Sequence, residues 1–410
     1  MTTRAASALQ IEHVPLDSLH PDPANPRRIS DAELEALTRS IQQFGFVDPV
    51  IARREDGAVV GGHQRLLAAR KLGLKTVPVV YVDLSLEQAR LLNLALNKIS
   101  GSWDDELLAR MVADLSSLEE VDLSLSGFND DELGKLLKKL DARERGEREE
   151  AFDLDAALEA AQAAHGAKRG DLWALGSHRL LCGDATDPKA VARLLDGKRA
   201  NVAFTDPPYN VSLGDHGGQG RGQRRRRLKN DALPEEQWET FCRSWARHLL
   251  DHTDGAVYVC MSTKEWPLVS RVLEETGGHW SDTIVWAKDR FVLGRAHYQR
   301  GYEPMWYGWR EGAKPHWCGA RDQSDVWRIA RPSSSEAHPT MKPLELVERA
   351  LRNSSRESDA VLDLFLGSGT TLIAAERTGR VCYGMELDPH YAQVAVLRWE
   401  AFTGEKAEKL

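Results

Sequence analysis

The sequence predicts an α/β protein in two parts, and three observations carry that expectation. From Gly170 onward, short apolar runs alternate with helical patterns, as in a mainly parallel sheet with helices packed on it. Near the C-terminus, Val361-Leu362-Asp363-Leu364-Phe365 passes through a glycine turn into helical sequence, a strand-turn-helix unit. Residues 1–115 carry an α+β pattern of their own, set apart by a nearly unbroken run of charge. The expected division is therefore 1–115, a helical and charged linker over 116–168, and 169–410.

In the first part, Ser30-Asp31-Ala32-Glu33 has the spacing of a capping box, and Leu34, Leu37, Ile41 and Phe44 recur at helical spacing until Gly45. Val50–Arg53 and Ala58–Val60 read as a hairpin across Asp56-Gly57, a dipeptide suited to positive φ. Gly61-Gly62 leads into a helix from His63 to Leu72 closed by Gly73, Val77–Val82 is a strand, and Ser85-Leu86-Glu87-Gln88 caps another helix. Trp103 to about Leu140 has helical apolar spacing. The charged run Asp141–Glu150 and the alanine-rich stretch to Ala167 read as a partly helical, solvated linker.

In the second part, His178–Cys182 is a strand ending at Gly183-Asp184, and Asn201–Phe204 is a buried strand ending at Thr205-Asp206-Pro207-Pro208-Tyr209-Asn210. Helical sequence through Trp238, Phe241 and Trp245 follows, then strands over Gly255–Met261 and Asp282–Trp286. From about Arg290 to Arg331 the chain reads as irregular and polar, a place for base-sequence contacts. After the glycine turn, Leu372–Arg377 is helical to Gly379, and Val381–Met385 is a strand ending at Glu386, where Rossmann-like folds place an acid on ribose hydroxyls. Neither the dinucleotide fingerprint nor the phosphate-binding P-loop is met.

The chain of 410 residues is long enough for two or three cores. No apolar run reaches the roughly 18 residues that span a bilayer, and no signal-peptide core is visible, so a cytoplasmic protein without a membrane partner is expected. Its five cysteines lack metal-ligand spacing, and no metal is expected. A net charge of −8 is an average, and one loop departs from it: Arg221, Arg224, Arg225, Arg226, Arg227 and Lys229 follow Tyr209 closely and suit phosphate contacts.

The stretch at Asp206 suits one chemistry. An exocyclic amino group on a nucleobase is a poor nucleophile because its lone pair is delocalised, so a transferase must hold its hydrogens and turn the lone pair outward. Asp206 can accept one N–H and the carbonyl of Pro207 the other, with Pro207 and Pro208 fixing φ. Tyr209 offers a flat face to the base. Asp-Pro and Pro-Pro are also ordinary turn punctuation, so the motif needs company.

Company comes from family likeness. Asp206-Pro207-Pro208-Tyr209 resembles the catalytic motif of amino-group DNA methyltransferases, and Trp286-Ala287-Lys288 and Tyr302–Tyr307 continue that resemblance. It implies a Rossmann-like sheet, S-adenosylmethionine as cofactor, and a cofactor set of Asp184, His338, Thr340, Lys342, Asp363, Phe365, Gly367, Ser368, Gly369, Thr370, Thr371 and Glu386. Catalytic motif before cofactor motif is the circularly permuted order of the β class. Asn25-Pro26-Arg27 and Gly62-His63-Gln64-Arg65 resemble the ParB/sulfiredoxin-like superfamily, although His63 replaces the usual glutamate, which weighs against nucleotide turnover. The whole resembles modification enzymes of phages and mobile elements, some paired with restriction enzymes. It implies a partner of double-stranded DNA, with a homodimer left open. Adenine N6 is the expected target, with Asp206 in place of serine. The rivals are cytosine N4, an RNA or protein acceptor, and a ParB-like clamp with a vestigial methylase half.

Overall fold

The computed structural model describes residues 10–26, 29–97, 104–116, 118, 121–126, 128–163, 166–210, 230–292, 297–331 and 341–410. The chain divides into two units, Met1–Glu144 and Arg145–Leu410.

In the first unit, α1 (Asp31–Phe44) starts at the expected capping box: Ser30 accepts from the Glu33 amide while the Glu33 carboxylate accepts from the Ser30 amide, and Gly45 ends the helix at φ 74°. Strands β1 (Ile11–Pro15), β2 (His20–Pro21), β3 (Val50–Arg53), β4 (Ala58–Gly61) and β5 (Thr76–Val82) form a sheet in the order β1-β5-β3-β4-β2. The β3–β4 turn requires glycine, because Gly57 sits at φ 74° and a Cβ there would lie 2.4 Å from the Ser18 carbonyl oxygen. The core of this sheet takes Val50, Ala52, Val59, Val77 and Val79, together with Leu66 and Ala69 of α2 (His63–Lys71). Helices α3 (Leu86–Asn97), α4 (Asp105–Ser116) and α5 (Asp130–Ala151) bring Leu94, Leu108, Met111, Val112, Leu115 and Leu133 into a second cluster. Arg27 and Trp103 lie outside the described residues.

In the second unit, β6 (Leu172–Leu175), β7 (His178–Cys182), β8 (Ala200–Thr205), β9 (Thr253–Cys260), β10 (Gly278–Val292), β11 (Arg300–Arg310), β12 (Val326–Arg328), β13 (Ala360–Asp363), β14 (Val381–Glu386) and β15 (Glu408–Lys409) build one sheet. Its order is β12-β10-β11-β9-β8-β13-β14-β7-β6-β15. The five central strands, β9 to β7 in that order, run parallel, and antiparallel strands flank them on both sides.

Alternation sorts the side chains between two layers, as a sheet covered on both faces demands. Val202 and Phe204 of β8 and Ala256, Tyr258 and Cys260 of β9 face α10 (Leu344–Ser354), α11 (Thr370–Arg377) and α12 (Pro389–Thr403). Ala203, Val257 and Val259 face α7 (Pro188–Leu195), α8 (Glu235–Asp251) and α9 (Trp266–Glu275), where Trp238, Phe241 and Trp245 are buried.

Two stretches differ from expectation. Between 290 and 331 the chain forms β11 and β12 rather than irregular structure. Aromatic residues favour strands, but β11 buries consecutive residues Pro304, Met305 and Trp306, so the usual alternation is hidden. The stretch expected as solvated linker belongs to the second unit from Arg145 on, and α6 (Leu154–Ala163) buries Leu154, Ala157, Leu158 and Ala161 beside Val394 of α12. Among the described residues, no helix is long and apolar enough to cross a membrane.

Candidate active site

The neighbouring strands β8 and β13 bring the site together. Val361 pairs with Val202 and Leu362 with Ala203, so both carboxyl ends open at the same edge of the sheet, where ligands bind in such folds. The Thr205 hydroxyl donates to Asp363 Oδ1 at 2.8 Å across 158 positions of sequence. One cavity at that edge is lined by Asp206, Pro207, Pro208 and Tyr209 on one side. Asp363, Phe365, Gly367, Ser368, Thr370, Thr371 and Glu386 line the other side, and Asp184, Lys342, Asp388 and Tyr391 complete the lining. Gly369 is the N-cap of α11 at φ 91°, and a Cβ there would stand 3.1 Å from that of Ala395. Those two facts together leave little choice but glycine. His338, Thr340, Arg221, Arg224, Arg225, Arg226, Arg227 and Lys229 lie outside the described residues.

The glycine-turn side is held mainly by backbone donors. Glu386 accepts from the Gly367 amide at 2.8 Å and the Asp388 amide at 2.7 Å, which fixes the turn against β14. Burial pushes its carboxyl up to about 7, against those two amides. Asp363 accepts from the Phe365 amide at 2.9 Å as well as from Thr205, and burial pushes it up to about 6. Phe365 is wedged edge-on against Phe241 and Trp245. Behind the turn, Arg398 of α12, only 2% exposed, donates to the Ser368 carbonyl at 3.1 Å and is ion-paired with Glu149 of α5. Asp184 closes its own turn by accepting from the Thr186 amide and hydroxyl.

The Asp206 side is held by charges. Lys342, 6% exposed, donates to Asp206 Oδ2 at 2.6 Å and to the Tyr209 hydroxyl oxygen at 3.1 Å. The Tyr209 hydroxyl donates to Asp206 Oδ1 at 2.7 Å. Glu303 of β11 lies 3.3 Å from the Lys342 ammonium and accepts from Lys288 of β10 at 2.5 Å. Burial raises Asp206 above the usual carboxylate range, and Lys342 opposes that rise. Burial would raise Glu303 too, but Lys342 and Lys288 outweigh it and hold that carboxyl at about 2. Burial acts to lower Lys342, yet Asp206 and Glu303 override it and the ammonium is raised above its ordinary value.

The segment after Tyr209 is fastened at both its ends. Asp231 accepts from the Tyr209 amide at 3.2 Å, and Asn210, at φ 50°, exchanges two hydrogen bonds with the backbone of Leu233. The described ends of the basic segment therefore both stand at the cavity.

Sequence reasoning missed Glu303, Lys288 and Asp231 as site residues. The available signal was charge out of place: an acid and a lysine beside the aromatic runs of two strands. Lys342 was read from family resemblance as a cofactor residue, and the structure places its ammonium on the Asp206 carboxylate.

The residues present fit S-adenosylmethionine. The carboxylates of Asp184, Asp363, Glu386 and Asp388 suit a cation, and the start of α11 presents backbone amides to an anionic group. At Gly367, φ 56°, an added Cβ would meet nothing within 4 Å, so the turn leaves room at this point.

Residues 200–397 match the family model described as DNA methylase, and residues 2–98 match the ParB N-terminal domain. The chain is 29% identical over 230 residues to the type II methyltransferase M2.LlaDCHI of Lactococcus lactis subsp. cremoris, covering 48% of this chain and 81% of the relative. It is 29% identical over 222 residues to M2.DpnII of Streptococcus pneumoniae, covering 49% and 82%. The solved structure of M1.HpyAVI in complex with SAM is similar at a TM-score of 0.41 and 23% identity, over 53% of this chain and 98% of that one. Residues 200–397 thus carry the sequence of the N6/N4 DNA methylase family, and a ParB N-terminal domain over residues 2–98 precedes them.

Proposed function

We propose that this protein transfers a methyl group from S-adenosylmethionine to the N6 amino group of adenine in double-stranded DNA. The observation that carries this reading is the shared cavity, with Asp206 and Tyr209 on one side and Glu386 and the glycine turn on the other. When bound, the cofactor supplies an electrophilic methyl group on a sulfonium. Glu386, the amides at the start of α11 and the carboxylates of Asp184 and Asp363 are the residues to hold it.

The target adenine is extruded from the duplex, as chemistry on a base requires. Asp206 accepts one N–H of its amino group and the Pro207 carbonyl the other, which turns the nitrogen lone pair toward the donor. Tyr209 supports the ring by stacking. Positioning and electrostatic stabilisation of the developing positive nitrogen supply most of the rate. The basic segment, whose ends are fastened at Asn210 and Leu233, neutralises phosphates beside the extruded base. Asp206 in the place of serine favours adenine over cytosine.

Incubating the full chain with methyl-tritiated cofactor and duplex DNA, RNA or protein, then identifying the labelled product, tests this reading. The expected product is N6-methyladenine in duplex DNA. N4-methylcytosine would replace the target base, and label confined to RNA or protein would overturn the substrate.

A further inference from the structure

The Asp206 end of the cavity holds more charge than gripping one amino group requires. Two carboxylates, Asp206 and Glu303, and two ammonium groups, Lys342 and Lys288, alternate along a chain of close contacts: Asp206 to Lys342 at 2.6 Å, Lys342 to Glu303 at 3.3 Å, Glu303 to Lys288 at 2.5 Å. The sheet register places them. Met305 of β11 pairs with Cys260 at the end of β9, so Glu303, two residues earlier, projects past β9 toward the end of β8. Trp286 pairs with Glu303 on β10, which puts Lys288 within reach. A buried ion network is weak evidence for stability, because desolvation offsets most of its attraction. Its geometry here has another use.

We propose that Lys342 and Glu303 are positioning residues for the methyl acceptor: Glu303 steers the Lys342 ammonium onto Asp206 Oδ2, which aims the other oxygen at the target amino group. The proposal rests on the amino-transfer reading above. Tyr209 occupies Oδ1 at 2.7 Å in this structure, so base entry exchanges the tyrosine hydroxyl for the amino group while Lys342 keeps Oδ2. As the new N–C bond forms, the sulfonium S–C bond breaks with its electron pair passing to sulfur. The nitrogen, now cationic, gives one proton to Asp206 Oδ1. Lys342 stays protonated throughout, and Glu303 is too weak a base to compete for that proton.

The groups facing Asp206 are Lys342 from the segment before α10, Tyr209 from its own loop, Glu303 from β11, the Cys260 thiol from the end of β9 and Asp363 from β13. Lys342 lowers the Asp206 pKa and Glu303 raises it, so removing each should move the pH profile in opposite directions.

The test uses the full chain and the variants Lys342→Met, Lys342→Arg and Glu303→Gln. It measures single-turnover methyl transfer to duplex DNA from pH 5 to 9, and the Kd for S-adenosylmethionine by calorimetry. For Lys342→Met we expect a loss of about 10² or more in transfer, as for a misaligned reacting group. Its acid limb should shift upward while the cofactor Kd stays within about threefold of wild type. Lys342→Arg should recover part of the rate. Glu303→Gln should lose about tenfold with its acid limb shifted downward. A cofactor Kd that rises in step with the lost rate, with the acid limbs unmoved, would make Lys342 a cofactor ligand and overturn the proposal. If Lys342→Met does not fold, Glu303→Gln decides: an acid limb shifted downward at an unchanged cofactor Kd supports the proposal, and an unmoved limb overturns it. If the wild type methylates an acceptor other than DNA, the substrate reading falls, and the same variants test the positioning role on that acceptor.

Discussion

Two carboxylates stand at each side of the cavity, Asp206 with Glu303 behind it on one and Asp363 with Glu386 on the other, and the two pairs are neutralised by different means. On the acceptor wall, lysines stand beside Asp206 and Glu303, and Glu303 is held at about 2. On the donor wall, Glu386 and Asp363 are met by backbone amides and a hydroxyl, and burial raises them to about 7 and about 6. A carboxylate already paired with a fixed cation keeps its charge whether or not substrate is present. One met only by neutral donors gains from the arrival of a positive ligand. Glu303 is therefore pre-charged by its lysines, Asp206 is still raised by burial although Lys342 opposes the rise, and the donor wall is completed by what it binds.

The sharpest way to break this contrast is Asp206→Ala. It should reduce methyl transfer by about 10³ or more, in the range that loss of a positioned proton acceptor produces. The cofactor Kd should stay within a few-fold of wild type by calorimetry, and a variant with near-normal rates would remove Asp206 from its assigned role.

The donor wall should answer to pH. If Glu386 must be ionised to hold the cofactor, affinity should weaken about tenfold per unit below about pH 7, and Glu386→Gln should flatten that slope while binding weakly throughout. A wild-type Kd constant from pH 5 to 8 would contradict the assignment.

Stability without cofactor gives the same contrast with opposite signs. Glu386 has a raised pKa, so its unfavourable contribution appears as pH rises from 4.5 through about 7. Glu386→Gln should accordingly raise Tm at pH 8 and change little below pH 4. Glu303 has a depressed pKa, so its contribution is present above 4.5 and is lost as pH falls toward about 2. Glu303→Gln should therefore lower Tm at pH 7, and the two variants moving Tm the same way at neutral pH would refute the contrast.

A smaller effect should follow from Glu149→Gln. This change weakens the pairing of buried Arg398, whose other contacts include the Ser368 carbonyl of the glycine turn. The cofactor Kd should rise by about tenfold or less, since the turn keeps its Glu386 anchor. Smallest of all should be Tyr209→Phe, which keeps the ring and frees Asp206 Oδ1. Transfer should remain within a few-fold of wild type, and a loss comparable to Asp206→Ala would assign the hydroxyl a direct role.

How much the sequence revealed follows from how local each signal is. The capping box at Ser30, the Asp56-Gly57 turn, the strand ending at Asp206 and the glycine turn before α11 are written within a few residues, and the structure forms each element there. Glu303 was not legible because its meaning comes from register: only the pairing of β11 with β9 brings it to the end of β8. Glu149 lay in a run whose charges all read as solvated, and its partner Arg398 stands 249 positions away. The family resemblance implies one cleft for the stretches near 206 and 367, and both line one cavity because neighbouring parallel strands open at the same edge. It did not separate acceptor residues from donor residues within that cavity, and Lys342 shows the difference.

The central claim, that the amino group and the methyl donor meet in one cavity between Asp206 and Glu386, is tested most directly with a bisubstrate compound. In it, the N6 nitrogen of an adenine nucleoside is joined by a short linker to the sulfur-bearing half of the cofactor. Calorimetry should find it bound about 10² times more tightly than the cofactor half alone, as linkage of two adjacent sites provides. That gain should vanish in Asp206→Ala, and the remaining affinity should fall in Glu386→Gln. Binding no tighter than the cofactor half, or a gain untouched by Asp206→Ala, would show that the two walls do not serve one reaction.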